Sequence, residues 1–375
     1  MQAGFQKGHD RESEAGSSLS SASAETATPT VLWVGSLGGM ETDLVKRSGI
    51  PFEAIPAAGV HGVGLRNLPG NLAQLGRGYR QAKRVLKCFQ PDVLLFTGGY
   101  VAVPMALAGR KVPTLLYVPD IEPGLALKTL ARFADCIALT ADESRTYFPR
   151  HENISVTGYP VRPDMKSWTL DEARLVFGLT PDLPTLLVFG GSKGARSINR
   201  AVLGVFPDLL AEMQIIHISG WLDWPEVDAK RSALAATPGP QSLLMERYHA
   251  YPYLHEEMGA ALIAADLVLS RAGASVLGEF PTFGLPAVLV PYPHAWRYQR
   301  VNADYLAQHG AALVIEDAQL GEQILFEVRN LLRDVARRQE MQSAMRSLAR
   351  PLAAQSIAQL LYGLATARGP KGCEP

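Results

Sequence analysis

The sequence predicts an α/β protein of two doubly wound, Rossmann-like domains facing a cleft. Three observations lead there. The chain has 375 residues, and at roughly 100–200 residues per domain that suggests two. Short Val/Ile/Leu runs alternate with longer amphipathic stretches, and uninterrupted apolar runs suit strands buried on both faces, as in parallel sheets. This alternation occurs in two successive series, as two α/β units would require.

Composition narrows the class. With 47% apolar and 19% charged residues the chain can bury a proper core. Its 36 Lys+Arg balance 36 Asp+Glu, which argues against a nucleic-acid binder, because phosphate neutralisation shows as a basic excess. Three cysteines, Cys88, Cys136 and Cys373, are too scattered for a disulfide framework or a CxxC site, and a reducing cytosol fits them. The eight histidines show no HExxH-like spacing, so the sequence predicts no structural or catalytic metal. No apolar stretch reaches the roughly 20 residues of a membrane span. The polar start, with Gln2, Lys7, Asp10, Arg11 and Glu12, does not read as a signal peptide.

Residues 1–30 differ from the rest. Half the positions from Ser13 to Thr30 are Ser or Thr, a composition that cannot offset its ordering entropy by burial, so a disordered tail is expected. The first strand series is expected at residues 31–34, 52–55, 93–96, 114–118, 136–139 and 155–157. The second is expected at 185–189, 214–218, 242–245, 266–270, 287–291 and 312–315, with the boundary near residues 160–168. Residues 68–89 read as a helix whose apolar face is Leu68, Leu72, Leu75, Tyr79, Ala82, Leu86 and Phe89. Arg77, Arg80, Lys83, Arg84 and Lys87 fall on a roughly opposite stripe, either a solvated face or one drawn to anionic lipid headgroups.

In open parallel sheets ligands bind beyond the carboxyl ends of the strands, and the distinctive motifs lie there. Gly190-Gly191-Ser192-Lys193-Gly194-Ala195 follows one strand and precedes a helical pattern, so glycines and free helix N–H groups could meet a phosphate or sugar. It is neither a Walker A loop nor GxGxxG, and a plain strand-to-helix turn is the alternative. Arg271-Ala272-Gly273-Ala274-Ser275-Val276 opens another helix, with Glu279 one turn further in. That spacing suits a diphosphate at the helix start and a carboxylate on two ribose hydroxyls, against the simpler role of a dipole-favoured acid.

Residues 291–303, with His294, Arg297, Gln299, Arg300 and Asn302, are dense in hydrogen-bonding groups suited to sugar hydroxyls; a solvated loop anchored by Trp296 is the alternative. Gly98, Gly99 and Tyr100 follow a further strand. Asp120 and Glu122 end the next, as candidate bases or as caps of the following helix.

Taken in order, these motifs resemble the MurG-type N-acetylglucosaminyltransferases of glycosyltransferase family 28, two-domain GT-B enzymes. The resemblance runs from about Val31 to Ala365. It rests on Val34-Gly35-Ser36 with Gly39-Met40-Glu41, on Gly98-Gly99-Tyr100, on Gly158-Tyr159-Pro160-Val161-Arg162, and on the glycine loop, the run from Arg271 to Glu279 and the segment from His294 to Asn302. It implies inverting transfer of GlcNAc from UDP-GlcNAc to a polyprenyl-diphosphate-linked muramyl-pentapeptide in peptidoglycan synthesis. No cofactor is implied. The implied setting is cytoplasmic, peripheral on the inner face of the membrane, with an anionic lipid surface and other cell-wall enzymes as partners.

It also implies a division into an acceptor and membrane-side domain at 31–163, a UDP-sugar domain at 164–345, and a C-terminal helix and tail at 346–375 that return toward the first domain. The implied donor contacts are Asp120, Arg162, Gly191, Ser192, Gly194, the backbone at Leu254 and His255 beside the uracil, Ala274, Ser275 and Val276 at the diphosphate, and Glu279 at the ribose. Gln299 and Asn302 match residues facing the GlcNAc hydroxyls. Gly98, Gly99 and Tyr100 match the loop at the acceptor diphosphate, with Glu122 nearby. Asp120 remains as the candidate base.

Two departures accompany the resemblance. Family members begin with a strand and a histidine-bearing GGTGGH-like loop, where this sequence has the Ser/Thr tail. At the family's HEQN-like position it reads Tyr117-Val118-Pro119-Asp120. Three explanations of the first departure stand: a displaced start or frameshift, a first βα unit supplied by another polypeptide, or a degenerate protein that binds donor and transfers slowly. The functional alternatives are accordingly a nucleotide-sugar-binding module and a related transferase with a different lipid acceptor.

Overall fold

The computed structural model describes residues 29–38, 41–57, 68–191, 194–236, 239–294 and 297–367. Residues 1–28 of the expected tail, Gly39, Met40, Ser192 and Trp296 lie outside the described residues.

Among the described residues twelve strands form three parallel sheets. In the first half they are β1 (Trp33–Ser36), β2 (Phe52–Ile55), β3 (Leu94–Phe96), β4 (Thr114–Val118), β5 (Cys136–Leu139) and β6 (Ile154–Val156). The second half contributes β7 (Thr185–Phe189), β8 (Gln214–Ile218), β9 (Tyr248–Tyr251), β10 (Leu267–Ser270), β11 (Ala287–Leu289) and β12 (Ala312–Val314). Helices connect successive strands, and every ladder is parallel. The molecule has the expected fold class, two Rossmann-like α/β domains.

The second domain holds the larger core. Its sheet runs β12-β11-β10-β7-β8-β9. Side chains alternate across it: Leu187, Ile216, Val268 and Leu289 face one helical layer, whereas Leu186, Val188, Ile215 and Leu269 face the other. Burial on both faces is why these strands read as continuous apolar runs.

The first domain is built differently. Its strands fall into a pair, β1-β2, and a set of four, β3-β4-β5-β6, and among the described residues no ladder joins β1 to β3. Trp33, Leu37 and Leu95 are exposed on these strands and the turn after β1.

One strand differs from its expected position. Residues 242–245 lie not in a strand but in and just after the helix Pro240–Leu244, and the strand is β9 at Tyr248–Tyr251. Gly239 and Pro240 supply a helix start, and Gln, Leu and Met favour the helix that follows. The C-terminal helix Ala353–Thr366 packs Ile357, Leu360, Leu361 and Leu364 against Leu115, Tyr117, Cys136 and Ala138 of β4 and β5, so the chain returns to its first half.

Candidate active site

The strand order reverses between β10 and β7, and in open α/β sheets such a reversal marks the ligand-binding crevice beyond the carboxyl ends of the strands. Two turns flank it. After β7, a Cβ on Gly190 would sit 2.3 Å from that of Ala195, and one on Gly194 would sit 2.4 Å from the Ser219 carbonyl oxygen. Gly191 and Gly194 also hold φ of 86° and 78°. Only glycine permits this turn, which brings bare backbone to the crevice. After β10, Arg271, Ala272, Gly273, Ala274 and Ser275 lead into the helix Val276–Phe283; the amides of Val276, Leu277, Gly278 and Glu279 bond back to the Gly273, Ala274 and Ser275 carbonyls, and the positive end of the helix dipole at this turn favours an anion.

Glu279 lies on that helix beside Ser275, Tyr159 and Arg162. Burial pushes its carboxyl above the usual range, against the Ser275 hydrogen bond and the Arg162 charge. Burial likewise pushes the Tyr159 hydroxyl up to about 12, and the Glu279 charge adds to it. The structure therefore brings together Arg162 and Glu279, which lie more than a hundred positions apart in sequence.

The floor beneath both turns is held by a residue for which no role was expected. Arg271 is buried and donates to Asp317 at 2.6 Å, to the Val290 carbonyl at 3.0 Å and to Ser197 at 2.7 Å. Bonded at once to the chain after β11, to Asp317 and to Ser197, the guanidinium ties the end of β10 to those three places. The signal was available: an arginine directly after an apolar strand must find buried partners.

From the first domain, the segment after β4 reaches the crevice. Asp120 Oδ1 accepts from Asn302 Nδ2 at 2.8 Å, and Asn302 Oδ1 accepts from the Ile121 amide at 3.0 Å. Burial raises the Asp120 carboxyl above its ordinary range, and the Asn302 bond works against that. Glu122 is bound by Arg297 at 2.7 Å and Lys128 at 3.2 Å. Burial pushes its carboxyl up, but the hydrogen bonds and charges of these two cations outweigh it and leave the group below the usual range.

Other expected site residues take the following places. Asn302 does not face open space: it is fully buried, because the helix Tyr298–Gln308 turns Asn302, Ala303 and Leu306 inward on one face. Glu122 is engaged by Arg297 and Lys128 rather than free for an acceptor. Gln299 lends its Oε1 to the Tyr292 amide at 2.9 Å, and the His255 amide is taken by Glu257. Leu254 is buried in the core and His255 is exposed. Gly98 and Gly99 form a turn with φ of 119° and 82°, and Tyr100 stands exposed beside it. A cavity of about 500 Å³ lies beyond β11, lined in part by Tyr292, His294, Arg297, Arg300 and Glu316. Among the described residues no group of His, Cys, Asp or Glu is arranged to hold a metal ion.

Two α/β domains meeting at a switch-point crevice, with a glycine turn and a helix start on one wall and carboxylates on both, have the architecture of the GT-B nucleotide-sugar enzymes. Family models agree on both halves: the glycosyltransferase family 28 N-terminal domain matches residues 24–139, and its C-terminal domain matches residues 185–359. The chain belongs to glycosyltransferase family 28. It is 43% identical to the UDP-N-acetylglucosamine--N-acetylmuramyl-(pentapeptide) pyrophosphoryl-undecaprenol N-acetylglucosamine transferase of Roseiflexus sp. (strain RS-1), over 90% of this chain and 84% of that one. The protein of the same name from Desulforamulus reducens is 38% identical over 87% and 88%. The crystal structure of Acinetobacter baumannii MurG superposes with a TM-score of 0.67 at 26% identity, covering 89% of this chain and 90% of that one.

Proposed function

We propose that this chain transfers GlcNAc, with inversion, from UDP-GlcNAc to a polyprenyl-diphosphate-linked muramyl-pentapeptide. The observation that carries the reading is the pairing, at one crevice, of the helix start at Ala274, Ser275 and Val276 with the Glu279 carboxylate one turn inward. The diphosphate lies against the helix start, and Glu279 accepts hydrogen bonds from the ribose. As the bond from the anomeric carbon to UDP breaks, the electron pair leaves with UDP, and the positive end of the helix dipole stabilises that charge without reorganising. The acceptor hydroxyl attacks the opposite face of the anomeric carbon, and its proton passes to Asp120.

Among the described residues no helix is long and apolar enough to cross a membrane. Contact with the membrane that carries the lipid-linked acceptor falls instead to the helix Leu68–Phe89, on which Arg77, Arg80, Lys83, Arg84 and Lys87 are all exposed. A peripheral position on the inner membrane face is the reading that this basic stripe supports.

One observation favours a second reading, a nucleotide-sugar-binding module with little transferase activity: the first domain's strands form two separate sheets. Transfer of radiolabelled GlcNAc from UDP-GlcNAc to the lipid acceptor decides between them. Labelled product supports the transferase; donor binding without product supports the module and overturns the first reading.

A further inference from the structure

Asn302 is the one polar side chain of the helix Tyr298–Gln308 that is completely buried, at 0% exposure. Its oxygen accepts from the Ile121 amide at 3.0 Å, and its Nδ2 donates to Asp120 Oδ1 at 2.8 Å and to the Ala272 carbonyl at 3.1 Å. Backbone partners on both sides fix which end of the amide is which: Ile121 N–H can only donate and the Ala272 carbonyl can only accept. One side chain thus holds the Asp120 carboxylate, the backbone after it, and the backbone that leads into the helix at Val276.

We infer that Asn302 is a positioning residue: from the second domain it locks the Asp120 carboxylate across the cleft, with Oδ1 occupied and Oδ2 left to receive the acceptor's proton. The inference rests on the assignment of Asp120 as base made above. In the step, the acceptor O–H bond breaks and its proton goes to Oδ2. The freed oxygen pair forms the new bond to the anomeric carbon, and the old bond's pair departs with UDP. A fixed carboxylate loses no orientational freedom when it acts.

Other charged and titratable groups facing Asp120 do not substitute for this contact. Tyr117 from β4, Tyr159 from the interdomain segment and Tyr298 from the same helix as Asn302 all have hydroxyls raised by burial, so they are neutral at working pH. Glu122, two residues on, is held by Arg297 and Lys128. Without the Asn302 amide, burial alone governs Asp120, and its carboxyl rises further.

The test is a double-mutant cycle on kcat with pH profiles. Asp120→Asn keeps an oxygen for Asn302 but removes the base, so kcat falls by about 100-fold or more. Asn302→Ala leaves the base unheld: kcat falls, and the acid limb of its pH profile moves to higher pH. Added to Asp120→Asn, it costs kcat nothing more, because its effect runs through Asp120. Asn302→Ser, too short to reach Asp120, serves if the alanine variant does not fold. An unmoved acid limb, or an equal further loss in the double variant, would show a merely structural Asn302 and overturn the inference. Full turnover by Asp120→Asn would instead overturn the base assignment itself.

Discussion

A Cβ placed on Gly278 would lie 2.7 Å from both Cβ and Cδ1 of Tyr159 and 2.9 Å from its carbonyl oxygen. Tyr159 belongs to the segment between the domains, and Gly278 to the first turn of the helix that faces the crevice, so this contact sets the height of that helix over the cleft. Gly278→Ala cannot be absorbed by a flexible side-chain end, because backbone is among the atoms met. It should cost about 1–3 kcal/mol of stability, as overpacking does, and displace the helix start. Calorimetric titration should show weaker UDP binding, and thermal unfolding a lower Tm; unchanged values for both would mean that the two elements slide past one another freely.

Glu279 should show a conflict between binding and stability. Burial raises its carboxyl above the unfolded value, so between those two values the folded chain holds the proton more tightly, and stability falls as pH rises through that window. At neutral pH the ionised group is therefore a net cost to the fold. Glu279→Gln removes that cost, and Tm at pH 7 should stay level or rise. UDP binding should weaken by about 1–3 kcal/mol, or roughly 5- to 150-fold, through loss of a charge-assisted hydrogen bond to ribose. For the wild type, UDP affinity should decline on acidification at a pH higher than an ordinary glutamate would give. A variant that binds UDP as tightly as wild type removes the ribose assignment.

Much of this site was legible in sequence because it is local. Gly190, Gly191 and Gly194 mark a turn by composition, and Glu279 follows Ala274, Ser275 and Val276 at a spacing that only a helix start makes meaningful. What escaped is non-local. Nothing near Asn302 signals that its amide will be spent on Asp120 and Ile121 in the other domain, and its helical phase was masked by polar neighbours at Gln299 and Arg300. The misplaced strand at 242–245 has a different cause. Ser-Leu-Leu-Met is apolar but carries no β-branched residue, and the Gly239-Pro240 pair ahead of it is a helix start.

His217 should make the second domain acid-sensitive. Its Nδ1 meets Tyr248 Oη at 2.7 Å and its Nε2 meets Asn199 Oδ1 at 2.9 Å. Asn199 Nδ2 donates to the Ser219 carbonyl and to Asp223, so its oxygen must accept, and His217 carries its proton on Nε2. Complete burial lowers the imidazole from 6.5 to about 3. The unfolded chain thus binds a proton below pH 6.5 that the folded chain refuses. Stability is full above that pH and falls by about 1.4 kcal/mol per unit as pH drops toward 3. Urea unfolding of wild type should lose about 2 kcal/mol from this group between pH 6.5 and pH 5. His217→Gln should flatten that slope, whatever it costs at pH 7. Parallel curves for the two proteins would shift the responsibility to another group, of which the half-buried His249, also lowered by burial, is the first to examine.

The helix Leu68–Phe89 turns Ala82, Val85 and Leu86 into the first domain's core, which leaves its five basic residues facing outward. Near an anionic surface each Lys or Arg contributes about 1 kcal/mol, and the attraction falls off within a Debye length of roughly 8–10 Å. Co-sedimentation with phosphatidylglycerol vesicles should therefore exceed that with phosphatidylcholine vesicles and weaken as salt is raised. Arg80→Glu with Arg84→Glu removes two favourable charges and adds two unfavourable ones, so vesicle binding should fall by about 30-fold or more. Neither residue lies at the crevice, so UDP affinity should not change. Equal binding to both kinds of vesicle, or no response to salt, would leave this face a solvated one and move membrane contact elsewhere on the molecule.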